Sequence, residues 1–152
     1  MKKTTLQLEQ LENKLKGFIP AKKIVRPAPG WTKSIRTTLG MSLKQLADKL
    51  NITKQSMQEI ESREQKGTVT TKTLKEVAHA MEMELVYGFV PKDGSLQQLI
   101  DRKAKELALK IVSRTEQTMK LENQTVQSKR IKLAIKERIN QIKKEMPKTL
   151  WN

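Results

Sequence analysis

Leu8, Leu11, Leu15 and Phe18 recur at steps of three and four, which predicts a helix over 4–18 with one apolar stripe. The stretch IPAKKIVRPAPG then breaks the period. Pro20, Pro27 and Pro29 lack amide donors and hold the chain extended, so it reads as a linker or arm with three basic residues among the prolines. From Trp31 the apolar positions become dense. Trp31, Ile35 and Leu39 start a helix that stops at Gly40. Ser42 is placed to cap a second helix, with Gln45 positioned to close a capping box. Leu43, Leu46, Ala47 and Leu50 form its buried stripe. Asn51 and Ile52 make a short turn, and Thr53 caps a third helix, KQSMQEIESRE, whose inward face is Met57 and Ile60. Gly67 ends that region. A fourth helix, capped near Thr71, is expected to run through TLKEVAHAMEMEL.

The period then changes. Residues 85–90, LVYGFV, are β-prone and stopped by Pro91, which predicts a short strand. One short strand cannot satisfy its own backbone groups and must pair, the same strand of a second copy being one such partner. Ser95 caps the next helix, again with a glutamine (Gln98) at the third position, and that helix is expected to reach about Asn123. A last helix over roughly 128–146 ends before Pro147 and carries Ile131, Ala134, Ile135, Ile139 and Ile142 on one face. The expected fold class is all-α with one short β-strand. The expected organisation is an N-terminal helix and Pro/Lys-rich arm (1–30), a central helical domain with the strand (31–91) and a C-terminal helical extension (92–152).

Charge narrows the partner. The 152 residues hold 31 Lys and Arg against 16 Asp and Glu, a net charge of +15. This favours a polyanion, most simply nucleic acid. The excess is spread over 1–30, 31–67 and 95–152, whereas 68–94 are close to neutral and suit a packing or dimer surface. With no cysteine, disulfide and thiolate chemistry are absent and a reducing, cytoplasmic location is expected. No apolar run approaches membrane-spanning length, and the start MKKTTLQLEQ has no signal-peptide core. The single histidine, His79, reads as a half-exposed helix residue. No metal-ligand cluster, phosphate loop or nucleophile motif points to catalysis, so neither an enzyme nor a cofactor is expected.

The spacing SLKQLADKLNITKQSMQEIE is that of a helix-turn-helix, with Ala47 small where two helices cross. It resembles the lambda-repressor-like family of phage and xenobiotic-response regulators, in which the start of the third helix reads bases. The resemblance implies that Lys54, Gln55, Ser56 and Glu59 point toward base edges. Lysine suits guanine O6 and N7, and glutamine suits adenine N6 and N7. Thr53 and the helix-start amides would hold phosphates, with Arg36, Arg63 and Lys66 as cationic support. Glu59, Glu61 and Glu64 bring negative charge to the same helix. Glu61 is expected to serve in an internal cap or salt bridge.

Over nearly its full length the chain resembles the mobile mystery protein A family. The resemblance is carried by Gly30-Trp31, IRTTLGMSLKQLA, GTVTTKTL, LVYGFVP, GSL at 94–96, TMKLENQ and the terminal LW at 150–151. Members are typically encoded beside mobile mystery protein B, a Fic-domain protein, so the resemblance implies a toxin–antitoxin-like pair on a mobile element. TMKLEN at 118–123 looks like the inhibitory helix motif of Fic regulators. In that motif Glu122 would pair with the Fic arginine that otherwise holds the ATP γ-phosphate, blocking AMP transfer. Thr118 and Glu122 lie four apart, on one face of a helix, and Asn123 can end it. A carboxylate–arginine pair is charge-assisted and can compete with a phosphate oxygen. The expected partners are operator DNA, a Fic-domain protein and a second copy, as a homodimer or within a hetero-oligomer, with no membrane. Two alternatives stay open. One is a plain dimeric repressor without an enzyme-inhibiting role. The other is a structural DNA-binding protein of a mobile element with steep salt dependence and little sequence preference.

Overall fold

Helices form wherever apolar residues recur at helical spacing. A computed structural model describes the backbone of residues 2–116 and 124–152. In chain order these contain α1 (Lys2–Lys16), α2 (Trp31–Thr38), α3 (Leu43–Lys49), α4 (Lys54–Lys66), α5 (Thr71–Ala80), α6 (Leu96–Glu116) and α7 (Gln124–Glu145). Short 3-10 turns lie at Ile19–Lys23 and Lys148–Trp151. The chain forms two compact units. One is Ala21–Gly88; the other joins the chain up to Pro20 with Phe89–Asn152. No helix among the described residues is long and apolar enough to cross a membrane.

In the first unit α2–α5 enclose Leu46, Ala47, Met57, Val77 and Met81, with Ile35, Met41, Leu43, Leu50, Ile52 and Ile60 packed around them. Leu46 and Met57 are fully buried. Ala47 is 1% exposed. Its carbonyl accepts from the Ile52 amide at 3.0 Å across the turn, and its buried side chain is small where α3 meets α4, so a larger one there would overpack the core.

The helix boundaries are chemical. Ser42 accepts from the Gln45 amide while the Gln45 side chain accepts from the Ser42 amide, the reciprocal cap expected from the spacing. Thr53 caps α4 and Thr70, rather than Thr71, caps α5. All four helices close in the same way, with a left-handed residue followed by an amide that reaches back five residues. Gly40, Asn51, Gly67 and Glu82 hold the left-handed positions. The returning bonds are Met41 to the Arg36 carbonyl, Ile52 to Ala47, Thr68 to Arg63 and Met83 to Ala78.

Two expectations in this unit are corrected. The fourth helix ends at Ala80 and does not continue to Leu85, because Met81 folds into the core and Glu82 turns left-handed with φ 56°. The strand over 85–90 is not formed among the described residues. The segment holds no helix, turn or bend, and no second segment among the described residues bonds to it to complete a ladder.

In the second unit α6 and α7 pack around Ala104, Ala108, Ile142 and Leu150. Both alanines are fully buried, so the helices approach closely there, and Leu150 on the terminal 3-10 turn closes the end. Ile142 is buried, Ile131, Ile135 and Ile139 are half-buried, and Ala134 is exposed, so the apolar face of α7 is narrower than its pattern suggests. Helix α1 belongs to this unit. Its Glu12 Oε1 accepts from the Gln97 amide at 2.7 Å, and the Ser95 hydroxyl accepts from the Gln98 amide at 3.0 Å, so two side chains satisfy the first turn of α6. The expected stripe of α1 is only partly covered: Leu8, Leu15 and Phe18 are half-buried, and Leu11 is 49% exposed.

Candidate DNA-reading surface

Helix α4 has a buried side and a solvent side. Met57, Glu61 and Glu64 are buried and Ile60 is half-buried, one face of the helix. Lys54, Gln55, Gln58, Glu59, Arg63, Gln65 and Lys66 are exposed. Gln55, Glu59 and Lys66 run along the centre of the solvent face, opposite Met57 and Glu64.

The buried face includes two carboxylates. Arg36, expected among the DNA-supporting cations, is instead 8% exposed and turned inward. Its Nε donates to Glu61 Oε1 at 2.6 Å, its Nη2 to Glu61 Oε2 at 3.2 Å and its Nη1 to the Met41 carbonyl at 3.0 Å. The guanidinium thus joins α2, the α2–α3 turn and α4, and no phosphate can reach it. Glu61 takes the internal salt bridge expected of it.

Glu64 holds a second tie. Its carboxylate accepts from the Trp31 amide at 2.6 Å and from the Thr32 amide at 3.1 and 3.2 Å, capping α2 in place of a local side chain. Gly30 precedes that cap at φ 94°, and a Cβ there would sit 3.3 Å from the Glu64 side chain. Arg26, from the proline-rich arm, donates to the Glu64 and Gln65 carbonyls at 3.2 and 3.0 Å, where the helix C-terminus attracts a cation. Helix α4 is therefore held at its start, middle and end, and each of its three carboxylates has a partner. Glu61 is paired with Arg36 inside, Glu64 is held by backbone amides, and Glu59 pairs with Arg63 at 2.7 Å on the surface.

The remaining expected residues sort by position. The Thr53 hydroxyl accepts from the Ser56 amide at 3.0 Å and donates to the Ser56 hydroxyl at 2.9 Å, so both belong to the cap. Lys54 and Gln55 stand free of side-chain partners among the described residues, in the first turn. Lys66 is exposed at the far end, about 18 Å along the axis from Lys54. Lys54, Gln55 and Glu59 therefore share the leading half of α4, and Arg63 and Lys66 the trailing half. Gln58, three residues beyond Gln55 and exposed, is a further member that the sequence reading omitted; the helical spacing alone would have found it. Thr118, Glu122 and Asn123 lie outside the described residues.

A capped helix start with exposed amides and a lysine suits a phosphate, and an exposed lysine–glutamine pair suits base edges. Residues 33–87 match the family model described as helix-turn-helix. That span is less than half of the chain and covers α3, the turn and α4 entirely. Neither a curated protein nor a solved structure matches. The chain carries a helix-turn-helix of lambda-repressor-like type, a domain that binds double-stranded DNA in transcription regulation.

Proposed function

We propose that the chain is a sequence-specific regulator that docks the leading half of α4 in a major groove as a homodimer on two half-sites, in the cytoplasm, at the operator of its own operon. The observation that carries this reading is the freedom of Lys54 and Gln55 on a helix fixed along its buried face. Two copies follow from the economy of the motif, since one helix-turn-helix covers only one half-site. In this reading Thr53 and Ser56 set the docking end, Glu59 restrains Arg63, and Arg63 and Lys66 lie toward backbone phosphates. Binding of the upstream region of its own gene, compared with scrambled duplex, tests it. Gln55→Ala relaxes discrimination at one base position by about 1–3 kcal/mol. Unchanged operator binding by the Lys54→Ala/Gln55→Ala variant rules out base reading by α4.

The second half of the proposal is an antitoxin role. Its support is the family resemblance together with the i, i+4 spacing of Thr118 and Glu122. The chain does no catalysis of its own here; Glu122 enters the ATP site of a Fic-domain partner and stops AMP transfer. The adjacent reading frame is co-expressed with wild type or Glu122→Ala, and growth and AMP transfer to cellular protein are followed. Wild type silences the partner; the alanine variant co-purifies with it and does not. Equal protection by both variants removes Glu122 from the mechanism, and the reading reduces to a plain dimeric repressor.

A further inference from the structure

We propose that residues 84–92 form an antiparallel two-stranded ribbon with the same residues of a second copy, centred on Gly88. This rests on the dimeric reading above and gives the dimer a contact surface. From Met83 to Pro91 the chain runs without helix, turn or bend. No backbone group from Glu84 to Val90 has a hydrogen-bond partner among the described residues. Val86, Tyr87 and Phe89 are 70%, 62% and 80% exposed. An exposed, largely apolar segment with open N–H and C=O groups is a template for another strand.

The sequence itself selects the second copy. ELVYGFVPK reads almost alike in both directions about its central glycine. In an antiparallel pair centred on Gly88, Tyr87 of each copy faces Phe89 of the other, and Val86 faces Val90. Glu84 faces Lys92, at both ends of the ribbon. Aromatic, β-branched and opposite-charge pairs are those that stabilise cross-strand contacts. A parallel pairing in register would set Glu84 against Glu84 and Lys92 against Lys92. An antiparallel slip by one residue breaks the aromatic and charged pairs together.

Pro91 fixes the hydrogen-bond phase. It has no amide to donate, so it must occupy a pair that exchanges no backbone bonds. Opposite residues alternate between the two kinds of pair. With Leu85 opposite Pro91 unbonded, Tyr87–Phe89 is also unbonded and Gly88 exchanges both bonds with its copy. The unbonded pairs are the closer ones, about 4.5 Å between Cα atoms, which brings the aromatic rings together. Tyr87 already carries Lys75 Nζ at 5.6 Å from its ring centroid and remains mostly exposed.

Glu84 and Lys92 are both exposed and without ion-pair partners among the described residues, so exchanging their charges leaves the monomer fold intact. Sedimentation equilibrium of the full chain is compared for wild type, Glu84→Lys, Lys92→Glu and the double exchange. Each single exchange places like charges at both ends of the ribbon and raises the dimer Kd by about tenfold. The double exchange restores it to within about threefold of wild type. Wild type that dimerises equally well in all four forms, or single losses that the double exchange does not recover, overturns the ribbon and leaves the dimer to another surface. Wild type that stays monomeric at tens of micromolar and occupies DNA half-sites independently overturns both the ribbon and the dimeric reading.

Discussion

The two units use one device at different depths. In each, a glutamate from a distant helix caps a helix that has too few local caps. Glu64 is 5% exposed and receives three bonds from the start of α2, whereas Glu12 is half-buried and receives one from the start of α6. The ion pairs divide likewise. Arg36–Glu61 lies in the interior of the helix-turn-helix unit, while Asp93–Arg102–Glu106 and Asp101–Lys143 lie on the surface of the other. The lesson concerns geometry. A buried pair contributes little net stability over an apolar one of equal volume, but it allows one arrangement of α2 against α4 and punishes all others. In the proposed reading, an element that presents Lys54 and Gln55 to a groove benefits from that restriction.

The largest way to break the contrast is to remove one partner of the buried pair. Arg36→Ala strands the Glu61 carboxylate in the interior and lowers the stability of its unit by about 3–5 kcal/mol. Replacing both partners, Arg36→Met with Glu61→Leu, recovers most of that loss, because no charge remains buried. Arg102→Ala on the other unit has little effect, since its partners are solvated. The chain's two tryptophans make the test unit-specific: Trp31 belongs to the first unit and Trp151 to the second. Urea unfolding followed by fluorescence in a Trp151→Phe background reports the first, and in a Trp31→Phe background the second. If Arg36→Ala moves the Trp31 transition by no more than a surface substitution does, the interior pair does not set the geometry of α4.

Next in size is the apolar closure of the second unit. Leu150 is 3% exposed against Ala104, Ala108 and Ile142. Leu150→Ala removes about 2–5 kcal/mol from the Trp151-reported transition. Ala108→Leu damages the same unit by overpacking, about 1–3 kcal/mol, because the α6–α7 approach leaves no volume for added methylenes. A tolerated Ala108→Leu would mean the two helices separate more easily than their packing implies.

The helix-turn-helix was legible because its signals are local. Ser42 with Gln45, Thr53 at the start of α4, Gly40 and Gly67 at helix ends, and the small Ala47 lie within a few residues of what they control. What could not be read is nonlocal or residue-atypical. Arg36 and Glu61 stand 25 residues apart, Glu64 and Thr32 stand 32 apart, and Glu12 and Gln97 stand 85 apart. A charged residue at a helical position reads as surface unless its partner is known, so from sequence Arg36 reads as a DNA-supporting cation. The end of α5 is hidden for another reason: Glu82 occupies a left-handed position that glycine or asparagine usually marks. The strand over 85–90 is not formed because β structure needs a partner segment, and none among the described residues supplies one.

The caps give a middle-sized effect. Glu64→Ala frees the first amides of α2 inside the protein and costs about 1–2 kcal/mol. Glu12→Ala costs about 0.5–1 kcal/mol, because Ser95 still serves the start of α6 and water reaches the remaining amide. Amide hydrogen exchange at Thr32 and Gln97 separates the two. Protection at Thr32 falls sharply in the Glu64 variant, and protection at Gln97 falls modestly in the Glu12 variant. Equal losses would mean that depth of burial does not govern the strength of these remote caps.

The smallest effect is a pH dependence of the second unit, read through Trp151. Hydrogen bonding to the Arg102 guanidinium holds the Asp93 and Glu106 carboxyls below their ordinary values, and Lys143 does the same for Asp101. Arg102 is raised in return by those two carboxylates and stays charged throughout. A carboxyl with a lowered folded pKa binds protons less readily in the native state than in the unfolded chain, so stability falls as the unfolded state's proton affinity takes hold. Their contribution is full above the unfolded carboxylate pKa, about 4, and is lost as pH drops through the lower folded values. All three are solvent-screened, so the loss is shallow. The Trp151 transition therefore weakens gradually below about pH 4. Asp93→Asn with Asp101→Asn flattens that dependence while leaving Trp31 unaffected. A steep acid loss in the doubly substituted chain would assign the sensitivity to groups other than these bridges. An unchanged profile would mean that Arg102 and Lys143 do not hold their carboxylates in solution.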